Sequence, residues 1–199
     1  MNLADRAAAY NLAHPEWPAS HLYVSKEQGR RVLYGTWVIG NDYRNKSTFY
    51  GAYPKGYLDR LAYLFPEAHT TGNILHCFSG GLPAGAYTRL DAVQPAELQG
   101  NVTDIQQLTA KRDFSLVIAD PPYSEDDAGK YGVPMIDRGR ATRALAAVVQ
   151  LGGYMAWLDT TWPMHSKALW VTVGRITVIR STNHRVRLCT IFERVADRP

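Results

Sequence analysis

The sequence predicts an α/β fold built on a mostly parallel sheet. Three observations carry that prediction. Short apolar runs that read as buried strands alternate with segments of helical spacing, the rhythm of strand–crossover–strand units. Two of those runs stop at an aspartate, where an open α/β sheet turns its carboxyl ends to a ligand. The last two β-rich stretches are joined by a link too short for a crossover, so they pair antiparallel as an edge hairpin.

The elements follow in order. The first seventy residues are aromatic-rich and broken by Pro and Gly. Within them residues 31–39 (RVLYGTWVI) read as a strand, and Asn41-Asp42 opens a polar turn. Residues 57–65 (YLDRLAYLF) have apolar positions at helical spacing, and Pro66 is expected to end that helix. Residues 73–78 (NILHCF) read as a buried strand before a Ser-Gly-Gly turn, and 86–90 (AYTRL) as a second strand reaching Asp91. Residues 114–119 (FSLVIA) are a strongly apolar strand reaching Asp120. Residues 140–151 read as a helix stopped by Gly152-Gly153, followed by a strand at 154–158 (YMAWL). Residues 170–179 and 187–192 form the hairpin, with Ser181-Thr182-Asn183 as its turn.

Composition fits one globular domain. The chain has 199 residues, of which 46% are apolar and 20% charged, which excludes disordered and fibrous classes. No apolar run spans a bilayer, so no membrane is expected as a partner. Residues 1–10 lack the apolar segment of a secretory signal. Cys77 and Cys189 each sit in an apolar run and lack metal-ligand spacing. They read as buried free thiols of a reducing, cytoplasmic compartment, and no metal is expected. The net charge of +4 is uneven. Residues 1–130 carry 12 Lys/Arg against 14 Asp/Glu, a net −2, whereas residues 131–199 carry 10 against 4, a net +6. A basic third suits a polyanion, and it equally suits a solvated face.

The sharpest signal is Asp120-Pro121-Pro122-Tyr123, directly after FSLVIA. Average residue usage gives this tetrapeptide in about one chain of this length in a thousand. Its parts suit one task. An exocyclic amino group on a base is a poor nucleophile, because its lone pair is delocalised into the ring. A carboxylate (Asp120) and a backbone carbonyl (Pro121) can each accept one N–H, drawing the nitrogen toward tetrahedral geometry and freeing the pair. The prolines stiffen the loop. Tyr123 offers a face on which a base stacks. The plain alternative is a rigid strand-to-loop turn with a solvated aspartate.

LVIADPPY resembles motif IV of the S-adenosylmethionine-dependent amino-group methyltransferases, which include the adenine-N6 DNA methyltransferases. The resemblance implies a Rossmann-like class I sheet, S-adenosylmethionine as cofactor, and methyl transfer to an exocyclic amino group, adenine N6 in DNA first. Some RNA guanine-N2 methyltransferases also use DPPY, so RNA stays open. Residues 74–81 (ILHCFSGG) resemble the family's motif I, which places Cys77, Phe78, Ser79 and Gly80 at the cofactor. The family usually has an acidic residue where His76 stands. Asp91 ends the next strand, where an acidic residue meets ribose hydroxyls. The ten residues between Gly80 and Asp91 are too few for a crossover helix, so the fold is expected to lack the first one. Asp104 resembles the acid that contacts the cofactor's adenine. Simple strand-end polarity explains Asp91 and Asp104 as well. Residues 50–54 (YGAYP) resemble motif X and bring Tyr50 and Tyr53 to the cofactor's methionine end. The whole chain is then one methyltransferase domain, with residues 1–70 as an extension and 71–199 as the catalytic core.

The segment 124–139 reads as a long polar loop that folds over a flipped base, with Tyr131 as a base contact. Its adjacent acids Glu125, Asp126 and Asp127 read as solvated rather than metal-binding. Arg138, with Arg140 and Arg143, and the later cluster of Arg180, Arg185 and Arg187 are the phosphate candidates. DNA is the expected partner. The chain shows no separate recognition domain, which leaves room for a specificity subunit or a second copy. Two other readings remain open: methylation of a protein amide, and a binding module with a degenerate cofactor site.

Overall fold

The fold is taken from a computed structural model of the chain, and the described residues are 1–16, 20–40, 53–181 and 185–196. Tyr50 and most of the motif X-like segment lie outside them, as does the tip of the late hairpin.

All strands among the described residues join one sheet, in the order β1-β2-β8-β9-β7-β6-β3-β4-β5. The strands are β1 (Leu22–Glu27), β2 (Arg30–Ile39), β3 (Ile74–Cys77), β4 (Thr88–Asp91), β5 (Leu98–Gln99), β6 (Phe114–Ala119), β7 (Val149–Asp159), β8 (Trp170–Arg180) and β9 (Val186–Arg194). Neighbours from β5 through β4, β3 and β6 to β7 are parallel. Strand β9 runs antiparallel between β7 and β8, and β2 lies parallel to β8 with β1 antiparallel outside it. This is the predicted Rossmann-like α/β sheet, mostly parallel with an antiparallel hairpin. The order reverses at β3: β4 and β5 extend to one side, β6 and β7 to the other.

Two apolar layers hold it. Helices α1 (Leu3–Ala13), α2 (Tyr57–Leu64) and α3 (Pro66–Thr71) sit on one face, with Tyr10, Trp37, Tyr57, Leu61 and Ile118 in a common core. Helix α6 (Arg138–Leu145), with α4 (Ile105–Leu108), covers the other face over β3, β6 and β7, where Leu145, Val117, Trp157 and Trp170 meet. The alternation along β6 explains both layers, since Leu116 and Ile118 face one and Val117 and Ala119 the other. Arg6 ties α1 to the fold: its guanidinium donates to Leu64 O at 2.9 Å and pairs with Glu67.

Four expectations need correction. The hairpin of β8 and β9 is not at the edge, because β2 pairs with β8 from Gly174 to Arg180 on its other side. The helix read at residues 140–151 stops at Leu145. The β-branched run that follows enters β7, where Val149 pairs with Phe114, and Gly152-Gly153 fall at the register shift between Phe114 and Leu116. Gly152 has φ 71°, so these glycines shape a bulge within the strand rather than stop a helix. Pro66 does not simply end α2; it takes the first position of α3, where its missing N–H has no bond to lose. Segment 124–139 is not all loop. Ser124 caps α5 (Glu125–Tyr131) through Oγ to Asp127 N at 3.1 Å, and Glu125, Asp126 and Asp127 fill its first turn, where the helix dipole favours acids. The missing first crossover helix is as expected: no helix lies between Cys77 and Thr88.

Candidate active site

The parallel strands bring their carboxyl ends to one edge, and the site residues follow from that. Strand β3 leads into Phe78-Ser79-Gly80, β4 ends at Asp91, β6 runs into Asp120, and β7 ends at Asp159. Ala119 pairs with Cys77 on one side and Trp157 on the other, so the Asp120 loop sits beside the point where the strand order reverses. That is where an open α/β sheet offers a crevice.

Asp120 lies in a desolvated corner. Burial pushes its carboxyl up to about 6 from an ordinary 3.8; the Tyr123 hydroxyl and the Arg187 charge pull it down, and Asp159 pushes it further up. The Tyr123 hydroxyl donates to Asp120 Oδ1. Burial, reinforced by the Asp120 charge, drives the Tyr123 phenol well above its usual range, so it stays a donor. The Arg187 guanidinium lies 4.9 Å from the centre of the Tyr123 ring. Tyr53 and Tyr57 also feel the Asp120 charge, as does Cys189 across on β9.

Behind this loop stands a pair that the sequence reading missed. Asp159 is fully buried at the end of β7. Arg138, the first residue of α6, grips it with a fork: Nε to Oδ2 at 2.7 Å and Nη2 to Oδ1 at 3.1 Å. The same Nη2 reaches the Tyr123 carbonyl at 3.4 Å. Trp157 Nε1 and Thr160 N also donate to the carboxylate, at 3.1 and 2.7 Å, with longer bonds from Thr160 Oγ1 and Thr161 N. Arg138, expected to meet phosphate, is therefore engaged inside the site and links α6, β7 and the Asp120 loop. The signal was present: YMAWL runs into an aspartate as FSLVIA does.

On the β3 side, Ser79 is 3% exposed and its hydroxyl has no hydrogen-bond partner. Asp91 is drawn back over this turn. Its Oδ2 accepts from Gly80 N at 2.8 Å and its Oδ1 from Val93 N and Gln94 N at 2.9 and 2.8 Å. Three N–H groups leave room for one more donor on a carboxylate. Phe78 adopts φ 57° at the turn and meets the Trp157 ring edge-on. The Cys77 side chain packs in the core, and burial pushes its thiol up. His76 is held neutral: burial lowers it to about 4, and its Nδ1 lies 3.4 Å from the Tyr53 hydroxyl. Tyr53 in turn lies 3.5 Å from Ile118 O, against the strand that carries Asp120. Asp104 is exposed at the end of a 3-10 turn, Val102–Asp104, past β5.

The remaining predicted contacts divide by place. Tyr131 ends α5 and is half-buried. Arg180 and Arg185 close the hairpin ladder, Arg180 N donating to Arg185 O at 3.3 Å, at the same edge as Asp120. A cavity of about 240 Å³ lies at the opposite edge, between Arg6, Glu67, Ser115 and Tyr154, far from these groups. No group of His, Cys, Asp or Glu among the described residues could hold a metal.

No protein-family model matches the chain, and no curated protein matches it. Among solved structures it is similar to TrmN from Thermus thermophilus, at 11% identity and a TM-score of 0.43 over 67% of this chain and 48% of that one. It is also similar to yhhF from Escherichia coli, described as a methyltransferase, at 14% identity and 0.45 over 75% and 91%. A third is the T. thermophilus 16S rRNA N2 methyltransferase RsmC in complex with AdoMet and guanosine, at 16% and 0.35 over 98% and 47%. The chain spans about half the length of TrmN and of RsmC.

Proposed function

We propose that the chain is an S-adenosylmethionine-dependent N-methyltransferase acting on an exocyclic amino group of a nucleobase, adenine N6 in DNA. The observation that carries this reading is Asp120-Pro121-Pro122-Tyr123 at the reversal point of the sheet, with a desolvated carboxylate ringed by Tyr123, Arg187 and the Arg138–Asp159 pair.

The cofactor's fit rests on the orphaned Ser79 hydroxyl and on the spare acceptor of Asp91, which suits a ribose hydroxyl. Phe78, Ser79 and Gly80 would line it, with Tyr53 on the methionine side and Asp104 toward the adenine. When bound, S-adenosylmethionine supplies an electrophilic methyl on a sulfonium. The chain's own residues supply the rest. Asp120 and the Pro121 carbonyl accept the two N–H bonds of the target amine and orient its lone pair. Tyr123 gives up its bond to Asp120 as the amine takes that place, which frees its ring to stack on the base. The nitrogen sheds one proton after transfer, and Asp120 is the nearest acceptor. In-line alignment is the main source of rate.

The test is calorimetric titration of S-adenosylmethionine into wild type and Asp91→Ala, with labelled methyl transfer to DNA and RNA in competition. Binding that Asp91→Ala weakens, with transfer to DNA that Asp120→Ala abolishes, is expected. No binding by folded protein, with nucleic acid present, overturns the reading. Transfer to RNA alone keeps the chemistry and changes the substrate.

A further inference from the structure

Three contacts from three parts of the fold hold Tyr123. Arg138, at the start of α6, reaches its carbonyl at 3.4 Å. Arg187, the second residue of β9, places its guanidinium over the ring at 4.9 Å. The hydroxyl donates to Asp120 Oδ1, and among the described residues it is the one hydrogen-bond donor to that carboxylate. The last contact has a different meaning from the first two. The proposed reaction needs the Asp120 carboxylate for an N–H of the target amine, and here a phenol sits in that seat. Both side chains are half-buried, so the ring borders the crevice. It can turn out about its own side-chain bonds while Arg138 keeps the backbone in place.

We infer that the Tyr123 hydroxyl is a place-holder for the target amine: it satisfies and orients the Asp120 carboxylate until a base brings an N–H of its own, and then swings out. The inference rests on the methyl-transfer reading above and adds to it a control on entry to the same site. The exchange favours an amine. An exocyclic NH2 replaces one donor to the carboxylate by another, so the number of bonds is kept. A base with a carbonyl in that place, such as thymine, offers no N–H there and leaves the carboxylate unpaired, so the phenol stays. The hydroxyl also sets the charge of the resting site. Among the described residues, Tyr123 and Arg187 hold the Asp120 carboxyl down and Asp159 pushes it up, while Tyr53, Tyr57 and Cys189 face it as neutral groups. Without the hydroxyl, burial is opposed by Arg187 alone, and Asp120 stays protonated to higher pH.

The experiment compares wild type with Tyr123→Phe, which keeps the ring and loses the hydroxyl; circular dichroism and thermal melting establish that it folds. Carbon-13 NMR of aspartate-labelled protein, without ligands, follows the Asp120 carboxyl, assigned by its loss in Asp120→Asn. It should titrate at about 6 in wild type and measurably higher in Tyr123→Phe. Fluorescence anisotropy at pH 8 then measures binding of labelled, single-stranded oligo(dA) and oligo(dT). Tyr123→Phe should bind oligo(dA) roughly tenfold more tightly, the scale of one hydrogen bond to a charged group, and oligo(dT) as wild type does. An Asp120 titration that does not move overturns the inference. So does oligo(dA) binding that is unchanged or weaker in folded Tyr123→Phe, or an equal gain for both oligonucleotides, which a more apolar ring explains by stacking. Failure of S-adenosylmethionine to bind either protein in calorimetry sinks the enzyme reading, and it is seen apart from the Asp120 titration, which needs no cofactor.

Discussion

At the scale of single residues, Asp120 sets the most direct expectation. In the proposed reaction it works as the carboxylate, which accepts the amine N–H strongly and takes the proton that the nitrogen sheds, and its carboxyl is pushed up to about 6. The rate kcat/KM should therefore fall about tenfold per pH unit below about 6, rather than below 4, in a pH profile of methyl transfer. The same shift fixes a sign for stability. A carboxyl raised on folding opposes the folded state once ionised, so its contribution improves as pH falls from 6 toward 4. Asp120→Asn removes that penalty at neutral pH and keeps an acceptor for the Tyr123 hydroxyl. It should abolish transfer yet stabilise the protein by about 1–3 kcal/mol, read as a higher melting temperature at pH 7.5. Arg138 works behind this group. Arg138→Ala leaves the buried Asp159 carboxylate without its cation, and that uncompensated charge should drive Asp120 up and move the acid limb above 6. Arg138→Lys restores the charge without the fork, so the limb should return while the maximal rate stays reduced. An acid limb that sits still in Arg138→Ala refutes the coupling.

At the scale of elements, strands proved more legible than their connections. FSLVIA matches β6 residue for residue, and ILHC, YMAWL and the late pair all lie in strands, because a buried strand shows itself as an apolar run bounded by turn residues. What stayed hidden depended on long-range partners. Strand β1 reads as polar LYVSKE, and only its pairing with β2 makes it a strand. Strand β5 is two residues held by β4. The helix read too far into β7 failed for the same reason, since β6 claims Val149. In the site, Asp120 and Tyr123 were legible as a contiguous motif, whereas Asp159 and Arg138 are 21 residues apart and meet only in the fold. The junction after α3 offers an element-scale test. Gly72 closes that helix at φ 65°, and a Cβ there would come within 2.5 Å of the Ala86 carbonyl oxygen. Both strain and clash oppose any side chain, so Gly72→Ala should cost about 2 kcal/mol or more and lower the melting temperature by several degrees. Thermal unfolding followed by circular dichroism measures it; an unchanged midpoint contradicts the geometry.

At the scale of the whole molecule, the uneven charge acquires a place. The +6 of residues 131–199 was ambiguous between polyanion binding and a solvated face. The sheet separates those alternatives by position. Arg180, Arg185 and Arg187 come to the edge that holds Asp120, because β8 ends and β9 begins there. Arg140 and Arg143 instead sit exposed on α6, turned away from the core layer that α6 covers. Each phosphate neutralised on a single strand contributes about −0.7 to the slope of log binding constant against log salt. Arg185→Ala and Arg187→Ala should therefore each flatten that slope by about 0.7, whereas Arg140→Ala and Arg143→Ala should leave it unchanged. Arg187 carries a second signature that separates its two roles. Its charge also lowers the Asp120 carboxyl, so Arg187→Ala should raise the acid limb of methyl transfer as well, while Arg185→Ala shifts the salt slope alone. If all four substitutions flatten the slope equally, the binding is a diffuse response to net charge and the edge has no special claim on the nucleic acid. If only the hairpin arginines do, the strand passes along the carboxyl edge, beside the Asp120 loop that Arg187 touches through Tyr123.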